Sequence, residues 1–281
     1  MELVCRDATL SLHETVLMGV LNVTPDSFSD GGLWLDPEAA IPHAIEMVSQ
    51  GAGIVDVGGE STRPGAAPVS ERDELHRVLP VIEALAGSIG VPISIDTRKP
   101  AVAAAAVEAG ASIVNDTSGE EFDPAMDEVV ARTGAALVVM HSRGTPATMK
   151  TLTDYADVVR DTTAFLTQRA EQATEAGVST ASIALDPGIG FAKTPQQSLQ
   201  LLAGLDELAG TGWPVVVGTS RKSFIGATLG VPEDQRLEGT AATVAWAVMK
   251  GAHVVRVHDV EAMSRVVRMT EAIAAARKPA E

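Results

Sequence analysis

The sequence predicts an α/β chain folded as a (β/α)8 TIM barrel, one domain with an N-terminal hairpin or cap, and three observations carry this expectation. Eight short runs rich in Val and Ile recur along the chain, and each lacks polar alternation, as a strand buried on both faces does. Between them lie stretches with helix start and stop signals. Several of these stop at a glycine followed at once by the next apolar run: Gly51, Gly110, Gly134, Gly177 and Gly251 all fit the position just past a helix C-terminus.

Taken in order, residues 1–16 precede the cycle and read as the cap segment, and 17–281 as the barrel. The first strand run, Leu17 to Val23, passes into a loop rich in Asn, Thr, Asp and Ser. Asp36-Pro37-Glu38 then supplies an N-cap, a proline at the first helical position and an acidic first turn. Gly53 to Val57 is the second run, and Ser70 with Asp73 reads as a capping box opening the helix after it. Val91 to Ile95, Ser112 to Val114, Ala136 to Met140, Ile183 to Leu185, Val215 to Val217 and Val254 to Val257 complete the set. No linker, low-complexity segment or charge block divides the cycle. A doubly wound open sheet in its commonest form would place a glycine-rich turn directly after the first strand, and Asn22 to Asp30 contains no glycine.

At 281 residues, with 46% hydrophobic and 3% aromatic, the chain can bury a sizeable aliphatic core. Its 37 acidic residues outnumber 21 basic ones for a formal charge of -16, which speaks against a nucleic-acid or anionic-membrane surface. An anionic small ligand would need a local basic pocket instead. The lone cysteine, Cys5, excludes an internal disulfide framework, no secretory pattern opens the sequence, and no apolar run approaches the ~20 residues of a spanning helix. The expectation is a cytoplasmic chain with neither a membrane nor a nucleic-acid partner.

In a barrel of this kind the C-terminal strand ends face the active site. Read off in order, they give Asn22; Asp56, Gly58 and the stretch through Arg63; Asp96; Asn115 and Asp116; His141 and Arg143; Asp186; Ser220 through Phe224; and Arg256, His258 and Asp259. For Asp116 and Asp259 a capping or turn role is expected, and for His13, His43, His76 and His253 a surface or packing role. Convergence sets the others apart. Asp96, Asn115, Asp186 and Lys222 project toward one mouth, and burying that many polar groups without partners costs several kcal/mol. A polar ligand supplies the partners. A carboxylate facing the N–C–N edge of an aminopyrimidinone ring accepts two parallel hydrogen bonds, an amide satisfies an adjoining donor and acceptor, and a lysine meets the ring carbonyl and a ring nitrogen. At the same mouth Asn22, Arg63, Arg256 and His258 form a mostly cationic group suited to phosphate or diphosphate. Gly218-Thr219-Ser220-Arg221-Lys222-Ser223 lacks the glycine before its lysine that a nucleotide-binding P-loop requires.

The stretches GVLNVTPDSFSDGG, VDVGGESTRPGA, SIDT, VNDTSG, LDPGIGFAKT, GTSRKSFIG and RVHDV, in that order, closely resemble the dihydropteroate synthases of the folate pathway, over roughly residues 16 to 270. The resemblance implies a barrel transferase, usually a homodimer, that joins 6-hydroxymethyl-7,8-dihydropterin diphosphate to 4-aminobenzoate and releases diphosphate and dihydropteroate. It implies Asp186, Asn115, Asp96 and Lys222 on the pterin, and Asn22, Arg63, Arg256 and His258 on the diphosphate. Mg²⁺ would be held at Asn22. Thr62, Arg63 and Pro64 would lie on a mobile second loop and Phe28 on a mobile first loop. Phe191, Lys222 and Ser223 would line the 4-aminobenzoate pocket, which is also where sulfonamides compete. Asp96, Lys222, Arg256 and His258 would carry the chemistry: the diphosphate leaves first, a cationic pterin methylene forms, and the neutral aromatic amine attacks it. Two positions depart from the pattern, Ser142 where many relatives have methionine and Ala192 where glycine is common. The other functions weighed are an inactive pterin-binding paralogue and a corrinoid methyltransferase of the same superfamily, which would have little use for TPDSFSDGG, ESTRPG or SRKSF.

Overall fold

The computed structural model describes residues 1–24, 37–63 and 65–276. A hairpin of β1 (Glu2–Cys5) and β2 (Ala8–Ser11) comes first. The barrel strands follow as β3 (Val16–Asn22), β4 (Ile54–Gly58), β5 (Ile93–Asp96), β6 (Ile113–Asp116), β7 (Ala136–Met140), β8 (Ile183–Asp186), β9 (Val216–Gly218) and β10 (Val254–Val257). Interleaved are α1 (Pro37–Ser49), α2 (Glu71–Ala86), α3 (Pro100–Ala109), α4 (Ala125–Thr133), α5 (Val158–Glu175), α6 (Pro195–Ala203), α7 (Leu205–Ala209), α8 (Ser223–Leu229), α9 (Leu237–Met249) and α10 (Val260–Ala275). All eight sequence-predicted strands are present. They pair in parallel, β8-β7-β6-β5-β4-β3-β10-β9, and a bridge from Leu185 to Val215 with Leu185 N–H donating to Pro214 O (2.8 Å) closes the ring.

The five glycines predicted to end helices all have positive φ, from 71° at Gly134 to 124° at Gly110, the region open to glycine without steric cost. The capping prediction at Ser70 is half met. Its hydroxyl accepts from Asp73 N–H (3.2 Å), but it also donates to the Asp73 carboxylate (2.6 Å), so that side chain does not reach back to the Ser70 backbone. Asp36 lies outside the described residues.

The barrel interior has two storeys. Met18, Ile54, Ile113, Ala136, Val138, Ala184, Val216 and Val254 form a lower apolar cluster, which Leu3, Cys5 and Leu12 of the N-terminal segment join from below. One pleat higher on the same inward faces stand polar groups: Asp56 above Ile54, Asn115 above Ile113, Asp186 above Ala184, Arg256 above Val254. A period of two carries each strand from an apolar plug to a polar mouth. The outward faces pack with the helices in a separate, larger apolar cluster. Among the described residues no helix is long and apolar enough to cross a membrane.

Candidate active site

Strand register lines up four of the predicted residues' positions. Asn22 pairs with Gly58, Gly58 with Asp96, and Asp96 with Asn115, so one rung crosses four adjacent strand ends. A Cβ at Gly58 would stand in ordinary contact with Asn22 Oδ1 and Asp96 Cβ, each at 3.6 Å, so this position lies between the two side chains.

Beneath the rung lies a buried charge network. Arg256 Nε donates to Asp56 Oδ2 (2.6 Å) and its Nη2 to Asp96 Oδ2 (2.8 Å). Asn115 Nδ2 also donates to Asp56 Oδ2 (3.2 Å), and Thr117 Oγ1 donates to Asp96 Oδ1 (3.2 Å). Burial pushes the Asp96 carboxyl up to about 7; Arg256 pulls it down and Asp56 pushes it up. Burial opposes the Arg256 charge, yet Asp56 and Asp96 outweigh it and hold the guanidinium above its ordinary range. Asp56 is fully buried, and among the described residues its Oδ1 has no hydrogen-bond partner.

The loop after β8 forms the opposite wall. Asp186 Oδ1 accepts from Gly188 N–H (2.7 Å), and burial raises its carboxyl against the pull of Lys222. Lys222 Nζ donates to Ile189 O and sits over the Phe191 ring, 4.4 Å from its centroid. Burial lowers Lys222 to about 8, with Asp186 opposing. Lys193 fastens this loop from beneath: its buried amine lies 2.9 Å from Phe191 O, 3.1 Å from Gly188 O, 3.3 Å from His141 O and 3.0 Å from His141 Nδ1. Burial drives the Lys193 ammonium well below its ordinary range and the His141 ring down to about 2. Ala192 adopts φ 47°, in the left-handed region, a physical reason for glycine being common there in the family that the sequence resembles.

A third group is cationic. Arg256, Arg221, Arg63 and Lys222 all act on His258, and together with burial, the largest cause, they lower its ring to about 3. His258 is tied to Ser220, whose Oγ lies 3.0 Å from Nδ1 and accepts the His258 backbone N–H (3.2 Å). Arg63 Nη2 donates to Glu233 Oε1 (3.2 Å). Thr62 and Phe191 are half-buried, and Ser223 opens α8 exposed. Phe28 and Pro64 lie outside the described residues.

Asp116 fits the expected turn role, its Oδ1 accepting from Ser118 N–H (2.9 Å). Asp259 does not cap α10; the correction is a two-pronged ion pair with Arg221, at 3.0 and 2.5 Å, which draws the carboxylate away from the helix N–H groups. His13 and His76 are exposed, His43 is half-buried, and His253 Nδ1 accepts from Val215 N–H (3.1 Å). Sequence reasoning placed Asp56 and Ser220 at the strand ends without giving them a role, and it missed Thr117 and Lys193. Asp56 carried a signal: a charge inside an apolar run, two positions before the inward Gly58.

A closed parallel barrel with a buried carboxylate and amide edge at its mouth, beside a separate cationic cluster, defines an enzyme for a polar heterocycle that carries an anion. The sequence matches the family described as pterin binding enzyme over residues 18–258. It is 48% identical to dihydropteroate synthase of Bacillus subtilis (strain 168), over 95% of this chain and 92% of that one. To the Escherichia coli (strain K12) enzyme of that name it is 42% identical, over 99% and 98%. Among solved structures, Yersinia pestis dihydropteroate synthase in a sulfonamide drug complex superposes with TM-score 0.94 at 44% identity, covering 98% of this chain and 100% of that one. The Thermus thermophilus enzyme in complex with 4-aminobenzoate gives 0.87 at 45%, covering 97% and 100%. The chain belongs to the dihydropteroate synthase family of pterin-binding enzymes.

Proposed function

We propose that the chain condenses 6-hydroxymethyl-7,8-dihydropterin diphosphate with 4-aminobenzoate, giving 7,8-dihydropteroate and diphosphate. The observation that carries this reading is the mouth itself: Asp96, Asn115, Asp186 and Lys222 on one side, and Arg256, Arg221 and Arg63 around His258 on the other. Asp186 takes the pterin amine and ring N–H, Asn115 and Asp96 take adjoining edges, and Lys222 meets the ring carbonyl side. Arg63, Arg256, His258 and Asn22 take the diphosphate. Phe191, Lys222 and Ser223, with Thr62, Pro64 and Phe28 of the two loops, enclose 4-aminobenzoate, and sulfonamides compete there.

As the carbon–oxygen bond breaks, its electron pair leaves with the diphosphate, where Arg256 and the His258 ring offset the growing charge. Asp96 faces the positive charge spreading into the pterin ring. The neutral amine then forms the carbon–nitrogen bond and gives up its proton to solvent water, and no covalent nucleophile takes part. The Asn22 amide oxygen is a single hard donor, and among the described residues no cluster of three His, Cys, Asp or Glu could hold a metal. A lone hard oxygen donor fits Mg²⁺, which accepts most of its ligands from phosphate and water. When bound there it would neutralise diphosphate charge.

A homodimer is proposed on Trp246, Met249, Met269 and Ile273, large apolar side chains left exposed on the adjoining helices α9 and α10; sedimentation at micromolar concentration checks it. A cytoplasmic location accords with the single buried Cys5, whose thiol burial pushes up to about 12. The experiment that tests the function mixes protein, pterin diphosphate, 4-aminobenzoate and Mg²⁺ and follows diphosphate release with and without a sulfonamide. Release that the sulfonamide suppresses is expected; none at micromolar enzyme overturns the reading. Methyl transfer to a corrinoid acceptor would move the chain to the methyltransferases.

A further inference from the structure

The seventh strand end presents a hydroxyl to the eighth. Ser220 Oγ accepts the backbone N–H of His258 at 3.2 Å and lies 3.0 Å from Nδ1 of the same ring. Ser220 is buried, and its hydroxyl has one proton and two lone pairs. One lone pair is taken by the backbone N–H. If Nδ1 carried the ring proton, the second lone pair would be taken as well and the hydroxyl proton would lack an acceptor among the described residues in a buried place, a cost comparable to a lost hydrogen bond. If the hydroxyl instead donates to a bare Nδ1, the hydroxyl, Nδ1 and the His258 backbone N–H are all satisfied.

We infer that Ser220 is a positioning residue that fixes His258 in the Nε2–H tautomer, so that the ring presents a neutral N–H donor from the edge opposite Ser220. The neighbours agree with a neutral ring. Arg256, Arg221, Arg63 and Lys222 all disfavour a further positive charge there, and burial disfavours it most. A neutral Nε2–H is a donor with no acceptor role to compete, which suits oxygen atoms of an anion held by Arg63 and Arg256. The use of that donor on diphosphate rests on the function proposed above; the tautomer itself does not.

The arrangement is tested on full-length protein carrying ¹⁵N-histidine, with ring signals assigned by difference against His258→Gln. A long-range ¹H–¹⁵N correlation should show Nε2 with the shift of a protonated ring nitrogen and Nδ1 with that of a bare one, unchanged from pH 6 to pH 8. In Ser220→Ala the pattern should become mixed or inverted and kcat/KM for the pterin diphosphate should fall about tenfold, with Ser220→Thr restoring both. A protonated Nδ1 in the parent protein, or an unchanged tautomer in Ser220→Ala, overturns the inference. Inorganic diphosphate with Mg²⁺ separates the two claims: a shift of the Nε2 signal supports the diphosphate role. No shift with the tautomer intact removes that role alone.

Discussion

Arg256 grips Asp96 from below through Nη2, at 2.8 Å, while its Nε holds Asp56 at 2.6 Å. The carboxylate proposed for the pterin ring is thereby tied across the barrel to the arginine proposed for the diphosphate. Charge developing on either substrate half is felt by one continuous network rather than by two separate pockets.

Asp96→Asn removes charge while keeping volume, and Arg256 retains Asp56 as a partner. Turnover should fall about 10²- to 10³-fold, the scale for losing one preorganised electrostatic contact, with the melting curve little changed. Diphosphate release and circular dichroism check this. Near-normal turnover would refute the role given to Asp96.

Asp56→Ala acts differently, because it strips the acceptor from both Arg256 Nε and Asn115 Nδ2. Breaking a buried ion pair from one side costs about 3–5 kcal/mol. Urea unfolding should show a loss of that order, accompanied by weaker pterin binding in calorimetry. A loss below about 1 kcal/mol would mean that the Asp56 contact matters little to the fold.

The pH dependence follows from two shifted groups. Asp96, raised to about 7, is protonated below that pH and then carries no charge to offset the positive charge on the pterin ring, so kcat/KM for the pterin diphosphate should climb as pH rises through 7. Lys222, lowered to about 8, loses its charge above that pH, which bends the profile down again. His258, at about 3, contributes no limb near neutrality. In Asp96→Asn the acidic limb should disappear and the alkaline one remain; an acidic limb that persists would place that titration elsewhere.

The strands and most of the mouth were legible because both depend on local pattern. A doubly buried strand announces itself by an unbroken Val and Ile run, and a helix end by a glycine. The groups tying the site together were not. Arg256 and Asp56 are separated by 200 positions, and Lys193 and His141 by 52. Nothing in the neighbourhood of Lys193 distinguishes a buried strut from an exposed lysine. Asp259 misled for the same reason: its position suits a cap, and only the arrival of Arg221 from another strand end decides otherwise.

Gly188 is fixed by backbone rather than by chemistry. Its φ is +64°, and a Cβ would lie 1.9 Å from His141 O. Gly188→Ala must therefore push apart the ends of β7 and β8. A destabilisation above about 2 kcal/mol is expected, together with loss of the Gly188 N–H to Asp186 contact. Unfolding in urea and pterin binding measured together check it, and wild-type values for both would show that the two strand ends part easily.

Lys193→Met separates the loop's position from its composition. The thioether fills much of the lysine's volume but leaves Phe191 O, Gly188 O and His141 Nδ1 without the amine that binds them, so about 2–3 kcal/mol of stability should be lost. The functional effect should be uneven. Phe191 and Ile189 are the loop residues that Lys222 touches, so loosening the loop should disturb the wall proposed for 4-aminobenzoate, while Asp96 and Asn115 on β5 and β6 stay in place. KM for 4-aminobenzoate should rise about tenfold and that for the pterin diphosphate much less. An equal rise in both would show that Lys193 supports the barrel mouth as a whole rather than the aminobenzoate side of it.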